Sequence, residues 1–450
     1  MSSSEIPCDG AAAQRRSLVD AICIFVVILL VSFSWTMAVS GNSADLLALY
    51  AASTAFAQGD LDLVYPAADG LFTILPPEEW RPMMAELGYE DELYPYLYPP
   101  LWAALGSGLV GLFPPEALAP IARPVNYALM LATFWLAWRI TGAPMRFLPY
   151  LGLAAVATLP TLPGIVATVE NQPQILVGVL VLVAIERSLA NAPVAAGLAL
   201  ALAAAIKGFP ALFVLLWVAS ANWRAVASFA GAGAVLAALS VALAGWQLHL
   251  SFLSVLRQIS DTAVVLMVSQ GFNPLVAQFL PFGPENVVMR PDLMSDAGDP
   301  ARYVVIAKSP LWSAVGSLAP VIILTILGRF LRTASRAAAA TILWPSALLW
   351  VAFFNPLPWS HSYIMSFAFL PALLAYAPRA GAVGFVAASL LFGPFAGRYD
   401  LGGLVFEPTA TIGTLAVATV GLSFVWAGLA NRRPSGAIAP DAQAAPARPA

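Results

Sequence analysis

From Leu18 to Val39 the sequence runs through one almost uninterrupted apolar segment, and further apolar stretches recur as far as residue 430. A water-soluble domain has no use for so many; a bilayer, whose ~30 Å hydrocarbon core takes about 20 helical residues to cross, does. Spans are expected at residues 18–40, 118–138, 147–165, 173–189, 192–206, 209–222, 225–244, 310–328, 338–354, 362–378, 381–397 and 411–430, twelve in all. Several fall short of a straight crossing, so their ends extend into neighbouring residues or the bilayer thins around them. The composition agrees: 60% of the 450 residues are hydrophobic and 10% are charged. Backbone polar groups find no water in lipid, which makes the expected fold an all-α polytopic membrane protein.

Residues 1–17 form a polar tail, 18–430 the membrane domain, and 431–450 an Ala- and Pro-rich tail expected to be disordered. Arg15 and Arg16 ahead of Leu18 imitate the start of a signal peptide, but the apolar core is longer than an h-region and no A-x-A site follows. The segment therefore reads as a retained anchor. Cys8 lies in the tail and Cys23 in the first span, environments too different for a disulfide.

Charge sets the sidedness. The apolar run Pro99–Phe113 has fifteen residues between Pro-Pro pairs, which suits a re-entrant or interfacial helix. With that assignment thirteen of the 21 basic residues, Arg139, Arg146, Arg329, Arg332 and Arg336 among them, face the cytoplasm, and nineteen of the 24 acidic residues face outward. A crossing there would put Arg329, Arg332 and Arg336 outside, against the positive-inside rule. Both termini are then cytoplasmic in the inner (plasma) membrane, and residues 41–117 and 245–309 form long external loops. Chemistry is to be sought in those loops.

The order of features along the loops resembles a known family. Asp45 just past the first span, then "LYAAS" with Tyr50, then "QGDLDLVY", then "YPP" with Tyr98 opening an apolar run, are similar to the first external loop of the polyprenol-phosphate-mannose-dependent mannosyltransferases of family 87. "ENQPQ" (Glu170, Asn171, Gln172) resembles its Gly-Gln-x-Asn-type segment, with Glu170 where Gly is usual. "AAAIKGFPALFVLLW" with Lys207, "GFNPLVAQFL" with Asn273 and "NPLPWSHSYIM" with Trp359 and His361 resemble three later segments, though one histidine stands where two are common. The acidic insert at 76–92 is long for the family. The resemblance implies a GT-C fold and an external glycosyltransferase. It would move a hexose, mannose first among them, from a polyprenyl-phosphate donor to a lipid or glycan acceptor, with inversion and without a metal cofactor.

An enzyme on the outer face has no nucleotide sugar to draw on, so the leaving group is a phosphate monoester. Inversion needs one base for the acceptor hydroxyl and cationic or hydrogen-bonding groups for the departing phosphate. Asp45, held by the first span near the interface, fits the base; the alternative is that it caps a short helix beginning at Leu46. Lys207, the sole lysine before residue 308, fits the donor phosphate, or marks the interface by snorkelling. Arg257, Arg290, Arg302 and Lys308 are further cations of the second loop. His361 can donate to the phosphate or orient the acceptor, or be bonded locally; His249 has no motif beside it. Glu170, Asn171 and Gln172 can contact sugar hydroxyls, although capping explains Asn171 equally. Tyr94, Tyr96, Tyr98 and Trp102 can stack on a sugar or anchor the loop at the interface. Asp60 and Asp62 spell a D-x-D, but two oxygen ligands make a weak metal site and a solvated turn explains them better.

No Walker A, G-x-G-x-x-G, H-E-x-x-H, C-x-x-C or G-x-S-x-G pattern is present, and a net charge of −3 without a basic external stretch gives no footprint for nucleic acid. A polytopic transporter or lipid-linked glycan flippase is the competing reading. It predicts ionisable groups or Gly/Pro breaks at mid-span in corresponding halves, whereas this chain keeps its ionisable groups at span ends. Another GT-C branch with a different lipid-linked sugar would share the architecture.

Overall fold

The computed structural model describes residues 8–66, 70–281, 284–294, 300–393 and 408–430; the tail at 431–450 lies outside them. Helix α1 (Cys8–Val39) has 32 residues, about 48 Å at 1.5 Å per residue. Leu18, Phe25, Ile28 and Leu29 along it are exposed, an apolar surface of the kind that lipid covers. Among the described residues, five helices are long and apolar enough to cross a membrane: Ala12–Val39 within α1, Trp223–Ala244, Pro310–Leu331, Arg336–Phe353 and Thr409–Ala430. A bent pair would make a sixth.

Five or six helices of full crossing length thus stand among the described residues against twelve spans expected. The difference lies in proline. Pro160, Pro163, Pro173, Pro193 and Pro210 stand at or near helix starts, where they fit, and end whatever precedes them. Apolar sequence between them folds as shorter helices such as Phe147–Thr158 and Pro193–Ile206. Within Pro99–Phe113 only Pro100–Ser107 is helical (α3), eight residues or about 12 Å, far short of a crossing. Tyr50, on α2 (Ala44–Gln58), ties the end of that run down by donating to the Phe113 carbonyl at 3.0 Å.

The bundle has two unlike ends. At one, Arg146 pairs with Asp20, Arg139 with Glu186 at 3.1 Å, and Arg336 donates to the Leu189 carbonyl at 2.8 Å. At the other, α1 meets α4 (Pro115–Ile140) and α5 (Leu162–Val169) through uncharged polar groups: Tyr127 donates to Ser34 Oγ at 2.8 Å, and Ser34 and Thr168 hydroxyls lie 3.1 Å apart. Arg123 closes the joint by donating to the Ala38 carbonyl at 3.0 Å.

Beyond this second end the two long loops, 41–117 and 245–309, pack on each other. α2, the buried side chains of Trp80, Tyr65 and Tyr96, and helix α8 (Trp246–Asp261) share one apolar cluster with the sheet. The sheet is three-stranded and antiparallel, in order β1 (Thr262–Val265), β3 (Pro300–Ala307), β2 (Val287–Met294); it departs from the all-helical expectation. Tyr96 and Tyr98 are buried here rather than anchored in lipid: Tyr96 donates to the Pro99 carbonyl at 2.7 Å, and the Tyr98 carbonyl accepts from Tyr65 at 2.8 Å.

Candidate active site

The segment Glu170-Asn171-Gln172-Pro173 separates α5 from α6 (Gln174–Leu189), and the chain turns through 117° there. Asn171 takes φ 48°, a left-handed conformation that asparagine tolerates better than most residues. The Gln172 N–H then bonds back to Ala167 O at 2.9 Å and the Asn171 N–H to Thr168 O at 3.4 Å, the Schellman closure of a helix end. Pro173 prevents continuation. Asn171 is consumed by this work: its Oδ1 accepts from Asn126 at 3.1 Å and its Nδ2 donates to Ser43 Oγ at 2.8 Å.

Ser43, itself left-handed at φ 56°, starts α2 without capping it. The Glu170 carboxylate takes that place, facing the backbone N–H groups of Ala44 and Asp45. Asp45 therefore does not cap the helix; it sits in the first turn, and Gln172 Nε2 donates to its Oδ2. Burial pushes the Asp45 carboxyl well above the ordinary carboxylate range, the Lys207 ammonium pulls it back, and the charge of Glu92 adds to the rise. Burial raises Glu170 as well, with Asp45 and Glu92 contributing. Lys207 ends α7 (Pro193–Ile206); burial lowers it, opposed by Asp45. Its ammonium stands 5.8 Å from the centre of the Tyr98 ring.

These residues meet in one cavity of about 440 Å³. Asp45, Tyr98, Gln172, Lys207, Asn273 and Trp359 all line it, from segments more than three hundred residues apart. The rest of the wall is largely apolar, with Phe209, Leu212, Phe252 and Phe354. Asn273 is fully engaged, donating to the Asn355 and Pro356 carbonyls at 3.2 and 3.0 Å and accepting from Trp312 at 3.0 Å, so it shapes the wall. His361 lies one residue behind the cavity-lining Ser362 and is 2% exposed, with no hydrogen-bond partner at either ring nitrogen. Burial, with Lys207 nearby, holds it well below the usual imidazole range and therefore neutral.

Other expectations fall away from the cavity. Tyr50 braces the first loop. Asp60 and Asp62 are exposed, and no group of three potential ligands among His, Cys, Asp and Glu occurs among the described residues. His249 bonds to Ser240 Oγ at 2.8 Å and to Gly245 O at 2.7 Å on top of Trp246. Arg257 pairs with Asp261 at 3.8 Å on the surface, and the Arg290 and Arg302 side chains lie outside the described residues. What the sequence reading misses is Ser313, Gly316 and Ser317, which present small and hydroxyl groups to the cavity from α9 (Pro310–Leu331). Their i, i+3, i+4 spacing is the one available signal.

Residues 96–289 match the model of glycosyltransferase family 87. The match indicates a glycosyltransferase, and the apolar helices place it in a membrane. It takes in Tyr98, Glu170, Gln172, Lys207 and Asn273; Asp45, Trp359 and His361 lie beyond it. No curated protein matches the chain.

Proposed function

We propose that the protein is a GT-C-type integral membrane glycosyltransferase. It moves a hexose, mannose in the first instance, from a polyprenyl phosphate to a lipid or glycan acceptor on the external face, with both termini cytoplasmic. The observation that carries this reading is the single cavity that joins a buried carboxylate and an ammonium to apolar walls. A nucleotide would find little to bond on those walls, whereas a lipid-borne sugar suits them.

Asp45 takes the proton of the acceptor hydroxyl as its oxygen attacks the anomeric carbon. The bond from that carbon to the phosphate oxygen breaks, its electron pair leaves with the polyprenyl phosphate, and the anomeric configuration inverts. Burial raises the basicity of Asp45, and Gln172 fixes its orientation, two features that a general base needs. Lys207 lends its positive charge to the Asp45 side of the site, and Tyr98 and Trp359 offer faces for the sugar. No metal enters the reaction; the lysines do the electrostatic work.

The test is turnover by purified protein in nanodiscs, with radiolabelled polyprenyl-phosphate mannose and an extract of host lipids and glycans. Transfer together with release of polyprenyl phosphate is expected. Silence with mannose and with a panel of other polyprenyl-phosphate sugars would remove the reading in favour of transport.

A further inference from the structure

The sequence holds only two lysines, Lys207 and Lys308, and both line the same cavity. They differ in what surrounds them. Lys207 faces Asp45, the buried carboxylate at the base side of the site. Lys308 has Asp261 as its charged neighbour, but Asp261 is 59% exposed and shared with Arg257 at 3.8 Å, so water and the guanidinium screen most of its pull. Lys308 thus brings a largely uncompensated charge into an apolar cavity. It also stands two residues before α9, at the depth where a span begins and a lipid phosphate lies. Ser313 and Ser317, one turn apart on α9, line the cavity below it.

We infer that Lys308, with the Ser313 and Ser317 hydroxyls, seats the leaving phosphate of the donor at the α9 wall, while Lys207 serves the Asp45 side. The inference rests on the proposed transfer reaction. It accords with inversion, in which base and leaving group occupy opposite faces of the sugar and the phosphate needs a cation other than the one matched to the base. The charge that develops on the departing phosphate then meets a cation whose positive charge is not already spent on Asp45.

Binding of polyprenyl phosphate, and separately of the polyprenol of equal chain length, to the protein in zwitterionic nanodiscs tests this without turnover. Lys308→Met is expected to weaken polyprenyl phosphate about tenfold or more, the worth of one charge-assisted hydrogen bond, and to leave polyprenol unchanged. Lys308→Arg should recover most of the loss. Equal binding of the phosphate by wild type and Lys308→Met would overturn the assignment while leaving the transfer reaction standing, as would equal losses for phosphate and alcohol, which would mean a damaged cavity. Equal competition by phosphatidic acid would place a phospholipid headgroup there and overturn the donor assignment. Failure of wild type to bind polyprenyl phosphate at all would remove this inference and the donor reading together.

Discussion

The Gln172 side-chain amide donates to the Asp45 carboxylate across 127 residues of sequence, so the break between α5 and α6 and the first turn of α2 are set against each other. The carboxylate is oriented by a segment that touches it nowhere in the covalent chain.

Removing the base comes first. Asp45→Asn keeps an acceptor for Gln172 and nearly the same volume, yet cannot accept the hydroxyl proton. Transfer should fall between about a hundredfold and ten-thousandfold, with donor binding retained. Radiolabel transfer beside a thermal-shift control reads both, and a variant with normal turnover would sink the role given to Asp45.

Loss of the orienting bond should be milder. Gln172→Leu leaves the carboxylate in place without its donor, and kcat should drop about tenfold or more, as one charge-assisted bond is lost. KM for the donor should hardly move. A change confined to KM would make Gln172 a sugar contact instead.

Glu92 bears on the pH range. Burial, and with it the charge of Glu92, makes ionisation of the nearby Asp45 costly, against the pull of Lys207; Glu170, Tyr94 and Tyr98 face the same carboxylate and are themselves raised by burial and by its charge. A base works only above its own pKa, so activity is lost as pH falls through the raised value of Asp45. Glu92→Gln removes a negative neighbour, lowers that value, and should carry the acid limb of the kcat/KM profile to lower pH. An unmoved limb with intact activity would mean that the charge of Glu92 does not reach Asp45.

Asn171 is the structural member of the same segment. Asn171→Ala strands the Asn126 amide, leaves Ser43 with only its bond to the Val169 carbonyl, and places a less tolerant residue at φ 48°. The expected cost is about 2 kcal/mol or more, seen as a lower melting temperature with transfer per folded molecule little changed. A stable but inactive variant would return Asn171 to the substrate.

Asp45 and Lys207 are legible in the sequence because a charge at the edge of an apolar stretch is expensive unless it serves something. Gln172 is legible only through its motif, since nothing in "ENQPQ" announces which polar group turns inward and which is spent on the helix break. Lys308 is hidden by its neighbours, as a loop already rich in charge gives no reason to single it out. The sheet is missed for a different cause: "ARYVVIA" is too short and too apolar to separate a strand from the start of a span. The same ambiguity bears on the number of crossings, because hydropathy does not distinguish a full-length helix from two half-length ones separated by a proline break.

The cavity draws its walls from residue 45 at one extreme and residue 362 at the other. On the ribosome, Asp45 is made and inserted long before the lysines and the Trp359 loop exist. For most of its synthesis the chain therefore carries a carboxylate without a pocket. The cavity arrives only when the last third of the polypeptide closes over the first.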